Sequence, residues 1–321
     1  MRAIQVSEHG GPEVLRYVEV ADPQVGPGQL LVRTEAIGIN FIDTYIRTGR
    51  YPQAVPYVPG SEGTGVILAV GADVTDFAVG DRVAWAAGPG SYAEQVIVPA
   101  AVAIPVPEGV SPEVAASALL QGMTAHYLIE SIYKPAPGEA VLVHAGAGGV
   151  GLILTQLLAG RGIRVITTVS TDDKEKLSRE AGAAEVLRYE DDIAARVREL
   201  TGGVGVAAVY DGVGASTFEA SLASLRVRGM LALFGGASGP VPEFDLQRLA
   251  GAGSLFVTRP TLVHYTRDRA ELLWRAGDIL HAIADGSLSI RIGATYPLAE
   301  AERAHRDLEG RKTTGSIVLL P

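Results

Sequence analysis

The stretch Val141-Leu-Val-His-Ala145-Gly-Ala-Gly-Gly-Val-Gly151 constrains the fold of this chain more than any other. An apolar run of strand character leads straight into Gly146-x-Gly148-x-x-Gly151, and an apolar run of helical character follows. Glycines at this spacing let a strand turn sharply into a helix whose first N–H groups, at Gly149, Val150 and Gly151, face a pyrophosphate. Gly146 is expected to serve the tight turn, Gly148 the close approach of a ligand, and Gly151 the packing of helix on sheet. A tight turn alone would also use glycine. The strand before and the helix after are what make nucleotide binding the stronger reading.

Around this turn the rhythm is strand, helix, strand. Strands are expected at 140–145, 164–169, 185–188, 206–210, 230–234 and 254–257, with helices at 150–159, 174–181, 193–200 and 218–225. Such alternation implies crossover connections, hence an α/β fold with a doubly wound parallel sheet over residues 123–262. Residues 1–122 read differently. Short strands near 30–36, 65–70, 82–85 and 94–98 are separated by Gly26-Pro27-Gly28, Gly80-Asp81 and Gly88-Pro89-Gly90, as in a β-barrel-like unit. The tail, 263–321, holds helices near 271–284 and 299–308 and a strand near 316–320. It is too short for a core of its own and is expected to complete the first domain.

Charge and cysteine usage remove several function classes. A net charge of −9 argues against nucleic acid, because neutralising phosphates needs a basic face. Without cysteine there is neither a disulfide framework nor a thiolate metal site. The first residues lack the apolar run of a signal peptide, and no run reaches membrane-spanning length, so a cytoplasmic protein is expected. No histidine forms an H-x-x-x-H or H-E pair; His126 and His305 read as packed or surface residues, and His144 as structural. The serines lack a G-x-S-x-G elbow, so hydrolase chemistry has no support.

Several separated motifs in order carry a family likeness. They include Ala36-Ile-Gly-Ile-Asn40-Phe-Ile-Asp-Thr-Tyr45, Pro59-Gly-Ser-Glu-Gly-Thr-Gly65, Gly80-Asp-Arg-Val83, Tyr210-Asp-Gly-Val-Gly214, Phe234-Gly-Gly-Ala-Ser-Gly239 and Arg311-Lys-Thr-Thr-Gly-Ser316. With them the chain resembles the zinc-free quinone oxidoreductases, the zeta-crystallin-like branch of the medium-chain dehydrogenases/reductases. The likeness implies a Rossmann domain and a GroES-like β-barrel catalytic domain. Where zinc-dependent relatives carry Gly-His-Glu, this chain has Gly60-Ser61-Glu62, and serine does not replace an imidazole ligand. Glu62 then reads as a hydrogen-bonding residue at a strand start, and no metal is expected. Hydride would go to an acceptor that is already electrophilic, a quinone or an enone.

For the cofactor, the expected second strand ends in Ser170-Thr171 with Lys174 shortly after, where an NAD site would place a carboxylate. Hydroxyls and a cation suit a 2′-phosphate, hence NADPH. Asp172 and Asp173 are read as capping the next helix. The resemblance adds Tyr189 near the adenosine phosphate, Arg311 at the phosphates, and Gly214, Phe234, Gly235, Gly236 and Ser238 along the nicotinamide half. It also brings Thr261, Leu262 and Tyr127 to the cofactor. Asn40, Tyr45 and Tyr51 would face nicotinamide and acceptor, with a tyrosine hydroxyl donating to the acceptor oxygen as charge develops. Read without the likeness, Asn40 is a turn residue and Tyr51 a loop aromatic. The expected activity is NADPH-dependent quinone reduction. The alternatives are an enone or enoyl reductase, or a low-turnover NADPH-binding protein acting as a sensor or binding RNA. A homodimer joined near 254–257 is expected.

Overall fold

A computed structural model describes residues 1–86, 88 and 90–321; the expected turn residue Pro89 lies outside them. The chain divides into two units, Met1–Met123 with Thr266–Pro321, and Thr124–Tyr265.

The Thr124–Tyr265 unit is built on a six-stranded sheet, ordered Glu185–Arg188, Arg164–Val169, Ala140–Val143, Val206–Asp211, Leu225–Leu233, Phe256–Thr258. Every pairing is parallel. Val141, Leu142 and Val143 are fully buried, as are all residues of Val206–Asp211. Near-continuous apolar runs are what central parallel strands require, because both faces are covered. The chain enters at Ala140–Val143, winds outward to one edge, then returns to build the other half. Since crossover handedness is constant, that reversal puts the helices of the two halves on opposite faces. The helices Gly149–Ala159, Asp172–Glu180, Ile193–Leu200 and Phe218–Ser224 provide them. Ile193 and Val197, one turn apart, bury into a core with Leu142, Ile166, Val209, Leu222 and Leu231. Leu225 opens a strand instead of ending a helix, as the sequence pattern had implied; its backbone is already extended (φ −73°, ψ 144°).

In the other unit the strand Gln29–Ile39 is the organising element. It pairs along its length with Glu62–Val70, at its start with Gln95–Pro99, and at its end with Ser316–Leu320. Leu30, Val32, Ile67, Val83, Trp85, Val96 and Val98 form one core. A second joins Ile37 and Ile39 to Ile317, Leu319, Ala301 and Ala304. The register Ile317↔Ile39 and Leu319↔Ile37 thus ties the C-terminal segment to the N-terminal one. A strand at Ile292–Pro297, parallel to Ser316–Leu320, has no counterpart in the sequence pattern; it is six residues long, three of them are exposed, and it includes Gly293 and Pro297. No helix among the described residues is long and apolar enough to cross a membrane.

Candidate functional site

At the glycine turn the left-handed residue is Ala145 (φ +55°), and Gly146 is glycine for a different reason. A Cβ there would lie 2.6 Å from Thr167 Cβ and 2.8 Å from Ser178 Oγ. At Gly151 a Cβ would collide with the Ala145 carbonyl oxygen, so this glycine seats the helix on the turn. Gly148 has only Ala145 atoms near its Cβ position, the nearest at 3.3 Å, and is open to the outside. Gly148 is also the N-cap of Gly149–Ala159, and no side chain caps that helix among the described residues. The N–H groups of Gly149, Val150 and Gly151 therefore have no intrahelical acceptor.

A buried polar network supports the turn from below. Asp211, fully buried, accepts from the N–H groups of Val213 (2.8 Å) and Gly214 (3.0 Å), and from the hydroxyls of Thr217 (2.8 Å) and Ser221 (2.7 Å). Because Ser221 donates to Asp211, it accepts from His144 Nε2 at 3.0 Å, which leaves Nδ1 to accept from Thr168 Oγ1 at 2.9 Å. Burial holds His144 below its usual range, so the imidazole stays neutral. Tyr189 stacks on His144 (centroids 6.4 Å apart), and its hydroxyl accepts from the Ala145 N–H at 3.0 Å. The tyrosine expected near the adenosine thus also holds the strained residue of the turn.

Beyond Asp211 two loops interlock. Gly214 has φ +93°, and a Cβ there would lie 2.8 Å from the Gly239 carbonyl oxygen and 2.9 Å from Gly236 Cα. The Phe234 ring lies against Gly212, and Ser238 Oγ donates to the Val213 carbonyl (2.8 Å) while accepting from Ser216 N–H (3.0 Å). Gly214, Phe234, Gly235, Gly236 and Ser238 are thereby gathered at the C-terminal ends of two adjacent strands, where open α/β sheets bind ligands. Tyr127, buried, stacks on Tyr265 at 4.6 Å; Tyr265 ends the short helical turn that Leu262 begins just after Thr261.

The second strand ends at Val169. Ser170 and Thr171 are exposed and Lys174 is half-buried. Thr171, not Asp172 or Asp173, caps the next helix: its backbone is extended (φ −145°, ψ 162°) and its Oγ1 accepts the Lys174 N–H at 3.3 Å. The aspartates occupy the first turn, where they still suit the dipole, and Asp172 pairs with Arg188 at 2.6 Å.

In the other unit Asn40 stands at the head of the helix Phe41–Arg47 and is nearly buried. Its N–H donates to Asp43 Oδ2 at 2.8 Å, the reciprocal bond of a capping box. Its side-chain amide is engaged at both ends: Nδ2 donates to Glu62 Oε2 at 2.7 Å, and Oδ1 accepts from Gln121 Nε2 at 3.2 Å. Tyr45, on the same helix, meets the Tyr51 ring edge-on with centroids 5.5 Å apart, and the Arg50 guanidinium lies 4.5 Å over the Tyr45 ring. The Tyr51 N–H donates to the Tyr45 carbonyl at 3.1 Å, which fixes the two phenols as a pair. Arg311 follows the helix Ala301–Glu309 with φ +57°, a conformation uncommon for a side-chain-bearing residue.

Sequence reasoning missed the groups that hold this region. The Tyr92 hydroxyl donates to Asp43 at 3.2 Å and accepts from His305 Nε2 at 3.0 Å. Arg47 donates to His305 Nδ1 at 2.9 Å and pairs with Glu309 at 2.7 Å. His305 is neither a surface nor a simply packed histidine. Burial, with Arg47 alongside, pushes it down to about 3 and keeps it neutral. Burial also pushes Asp43 up to about 7 and Glu62 up to about 8, against the hydrogen bonds that favour their charged forms. Only the Asn40-x-x-Asp43 spacing hinted at any of this. These side chains do not fit a zinc centre. The chain has no cysteine, Ser61 Oγ faces Asp43 at 3.5 Å, and both Glu62 oxygens accept N–H groups, from Asn40 and from Leu120.

Residues 26–108 match the family described as "Alcohol dehydrogenase GroES-like domain", and residues 149–273 the one described as "Zinc-binding dehydrogenase". A GroES-like unit joined to a parallel sheet with this strand order and glycine turn defines a medium-chain dehydrogenase/reductase. The chain is 45% identical to a quinone oxidoreductase of Pseudomonas aeruginosa, over 100% of this chain and 99% of the other. A mycobacterial structure complexed with NADPH is 59% identical, with a TM-score of 0.98 and 100% of both chains covered. The Escherichia coli quinone oxidoreductase complexed with NADPH is 41% identical, with a TM-score of 0.98 and 100% of both chains covered. The chain belongs to the quinone oxidoreductase family.

Proposed function

We propose that this protein is an NADPH-dependent, zinc-independent quinone oxidoreductase. The observation that carries the reading is the uncapped helix end at Gly149–Gly151 beside a strand end that offers Ser170, Thr171 and Lys174. The two NADPH-complexed relatives support the same cofactor. Bound NADPH supplies the hydride. In the Thr124–Tyr265 unit, Gly146, Gly148, Gly149, Val150 and Gly151 take the pyrophosphate, and Ser170, Thr171 and Lys174 take the 2′-phosphate. Tyr189 serves the adenosine side, and Gly214, Phe234, Gly235, Gly236, Ser238, Thr261, Leu262 and Tyr127 serve the nicotinamide half. In the other unit Asn40, Tyr45 and Arg311 contact the cofactor. Tyr45 and Tyr51 donate a hydrogen bond to the acceptor oxygen as negative charge develops, with Asn40 orienting the reacting groups.

We read the protein as a cytoplasmic homodimer. Phe256–Thr258 is an edge strand with Phe256 and Val257 exposed, and pairing with a second copy would cover that edge. Steady-state NADPH oxidation with a panel of quinones and enones, with and without EDTA, tests the activity. Quinone turnover that survives the chelator is expected. Turnover confined to enones would make the protein an enone reductase, and NADPH binding without turnover would make it a binding protein.

A further inference from the structure

Four buried side chains form one continuous hydrogen-bond chain beside the head of the Phe41–Arg47 helix. Ser316 Oγ donates to Gln121 Oε1 at 2.8 Å, Gln121 Nε2 to Asn40 Oδ1 at 3.2 Å, and Asn40 Nδ2 to Glu62 Oε2 at 2.7 Å. The chain ends on a carboxylate whose other oxygen, Oε1, accepts the Leu120 N–H at 2.7 Å. Ser316, Gln121, Asn40 and Glu62 are all more than nine-tenths buried, so water offers none of them an alternative partner.

Two demands on Glu62 conflict. Its surroundings present N–H donors to both oxygens, which suits the carboxylate. Its burial disfavours the charge and lifts it to about 8. Among the described residues the other charged group bearing on it is Asp43, of like sign, held by the Asn40 N–H, Tyr92 and Ser61. A proton on Glu62 with the chain as it stands would set O–H against N–H across 2.7 Å. Turning both amides end for end removes the conflict. Glu62 O–H then donates to the Asn40 carbonyl, the Asn40 NH2 to the Gln121 carbonyl, and the Gln121 NH2 to Ser316 Oγ. Amide oxygen and nitrogen are nearly the same size, so Glu62, Asn40 and Gln121 stay paired in either direction without a change of shape, while the Ser316 hydroxyl turns from donor to acceptor and the Asp43 N–H keeps its bond to the Asn40 backbone carbonyl at 3.0 Å.

We propose that Glu62 is a positioning residue: one buried proton on it sets the direction of the Ser316–Gln121–Asn40–Glu62 chain, and so which end of the Asn40 amide is offered as donor and which as acceptor. Its consequence for catalysis rests on the reading above that Asn40 contacts NADPH. The reversal itself does not. Glu62→Gln locks the reversed direction, because the Leu120 N–H holds the new carbonyl on its side and turns the new NH2 toward Asn40.

Two measurements on the whole chain test it. In ¹⁵N–¹H spectra of the free protein across neutral to alkaline pH, the side-chain amide signals of Asn40 and Gln121 should move together through one titration near 8. They should stop moving in Glu62→Gln. Signals that stay still, or that titrate apart, overturn the reversal whatever NADPH does. The wild-type titration needs no variant, so poor folding of Glu62→Gln leaves the test intact. Over the same range the NADPH Kd of the wild type should change about three- to tenfold, the worth of one hydrogen bond, while Glu62→Gln holds the acid-side value throughout. The same pH dependence in both proteins overturns the coupling to cofactor. Absence of NADPH binding at every pH would instead defeat the functional reading and leave the amide titration to decide the reversal.

Discussion

Asp211 and Glu62 are both fully buried carboxyl groups, one in each unit, and they differ in where their donors come from. Asp211 is surrounded by Val213, Gly214, Thr217 and Ser221, all within ten residues of it. Glu62 is met by two N–H groups, from Asn40, 22 residues away, and Leu120, 58 away. Local donors arrive with the strand end and fill the acceptor sites of the Asp211 carboxylate. Distant donors reach Glu62 only when three segments assemble, and they are too few to offset its burial. One network therefore fixes a loop beside the glycine turn. The other leaves a proton whose position is open to change.

The most severe way to break this contrast is to delete the carboxyl group at the centre of the local network. Asp211→Ala orphans several buried donors and should cost about 3–5 kcal/mol in urea unfolding. A loss below about 1 kcal/mol would show that water replaces the carboxylate and that the two networks are alike.

The next largest effect concerns the ligand proposed for the Thr124–Tyr265 unit. Lys174→Ala should weaken NADPH binding by about 1.5–3 kcal/mol and leave NADH binding nearly unchanged. Equal losses for both cofactors in titration calorimetry would assign Lys174 to folding.

Stability against pH sharpens the contrast from the other side. Glu62 and Asp43 have folded values raised to about 8 and about 7, so the folded state holds more protons than the unfolded one above about pH 4. Their stabilisation is complete below the unfolded values and is lost as pH rises through the folded ones. His144 and His305 are depressed, so they act in the opposite sense and lose stability as pH falls below about 6.5. Between about pH 6.5 and 8 the carboxyls act and the two histidines do not, and stability should fall. Glu62→Gln should remove about 1–2 kcal/mol of that fall, because one proton held by the folded chain and not by the unfolded one is worth about 1.4 kcal/mol per pH unit. Unchanged thermal denaturation profiles for wild type and variant across this window would mean that Glu62 stays charged throughout.

The smallest effect is at the phenols. Tyr45→Phe and Tyr51→Phe should each lower kcat and kcat/KM together by about tenfold, less than a full oxyanion-hole donor, because a quinone is already reactive and water can substitute. Wild-type kcat in both variants, on every acceptor, would mean that this unit positions the reactants without donating a proton.

Much of the fold was legible because its signals are short-range. Central strands such as Val206–Asp211 announce themselves as apolar runs, and the glycine turn by spacing alone. The Ile292–Pro297 strand was not legible, since its short alternation of half-buried and exposed residues is interrupted by Gly293 and ends on Pro297, which read as turn signals. The site divides the same way. Gly146, Gly148 and Gly151 were readable, although the left-handed residue proved to be Ala145. The capping of Asp172–Glu180 by Thr171 depended on where the preceding strand stopped, a boundary that propensity places only to within a few residues.

What the sequence by itself determined is the order of strands and helices, the position of the dinucleotide turn, and the lack of cysteine that rules out thiolate metal sites. Each depends on residue type and on neighbours a few positions apart. Tertiary structure alone decided that Arg47 meets His305 across 258 positions, that Gln121 reaches Ser316 across 195, and that Glu62 lies sealed from water. A carboxyl group's charge follows from what surrounds it, and here the surroundings come from segments that only the folded chain brings together.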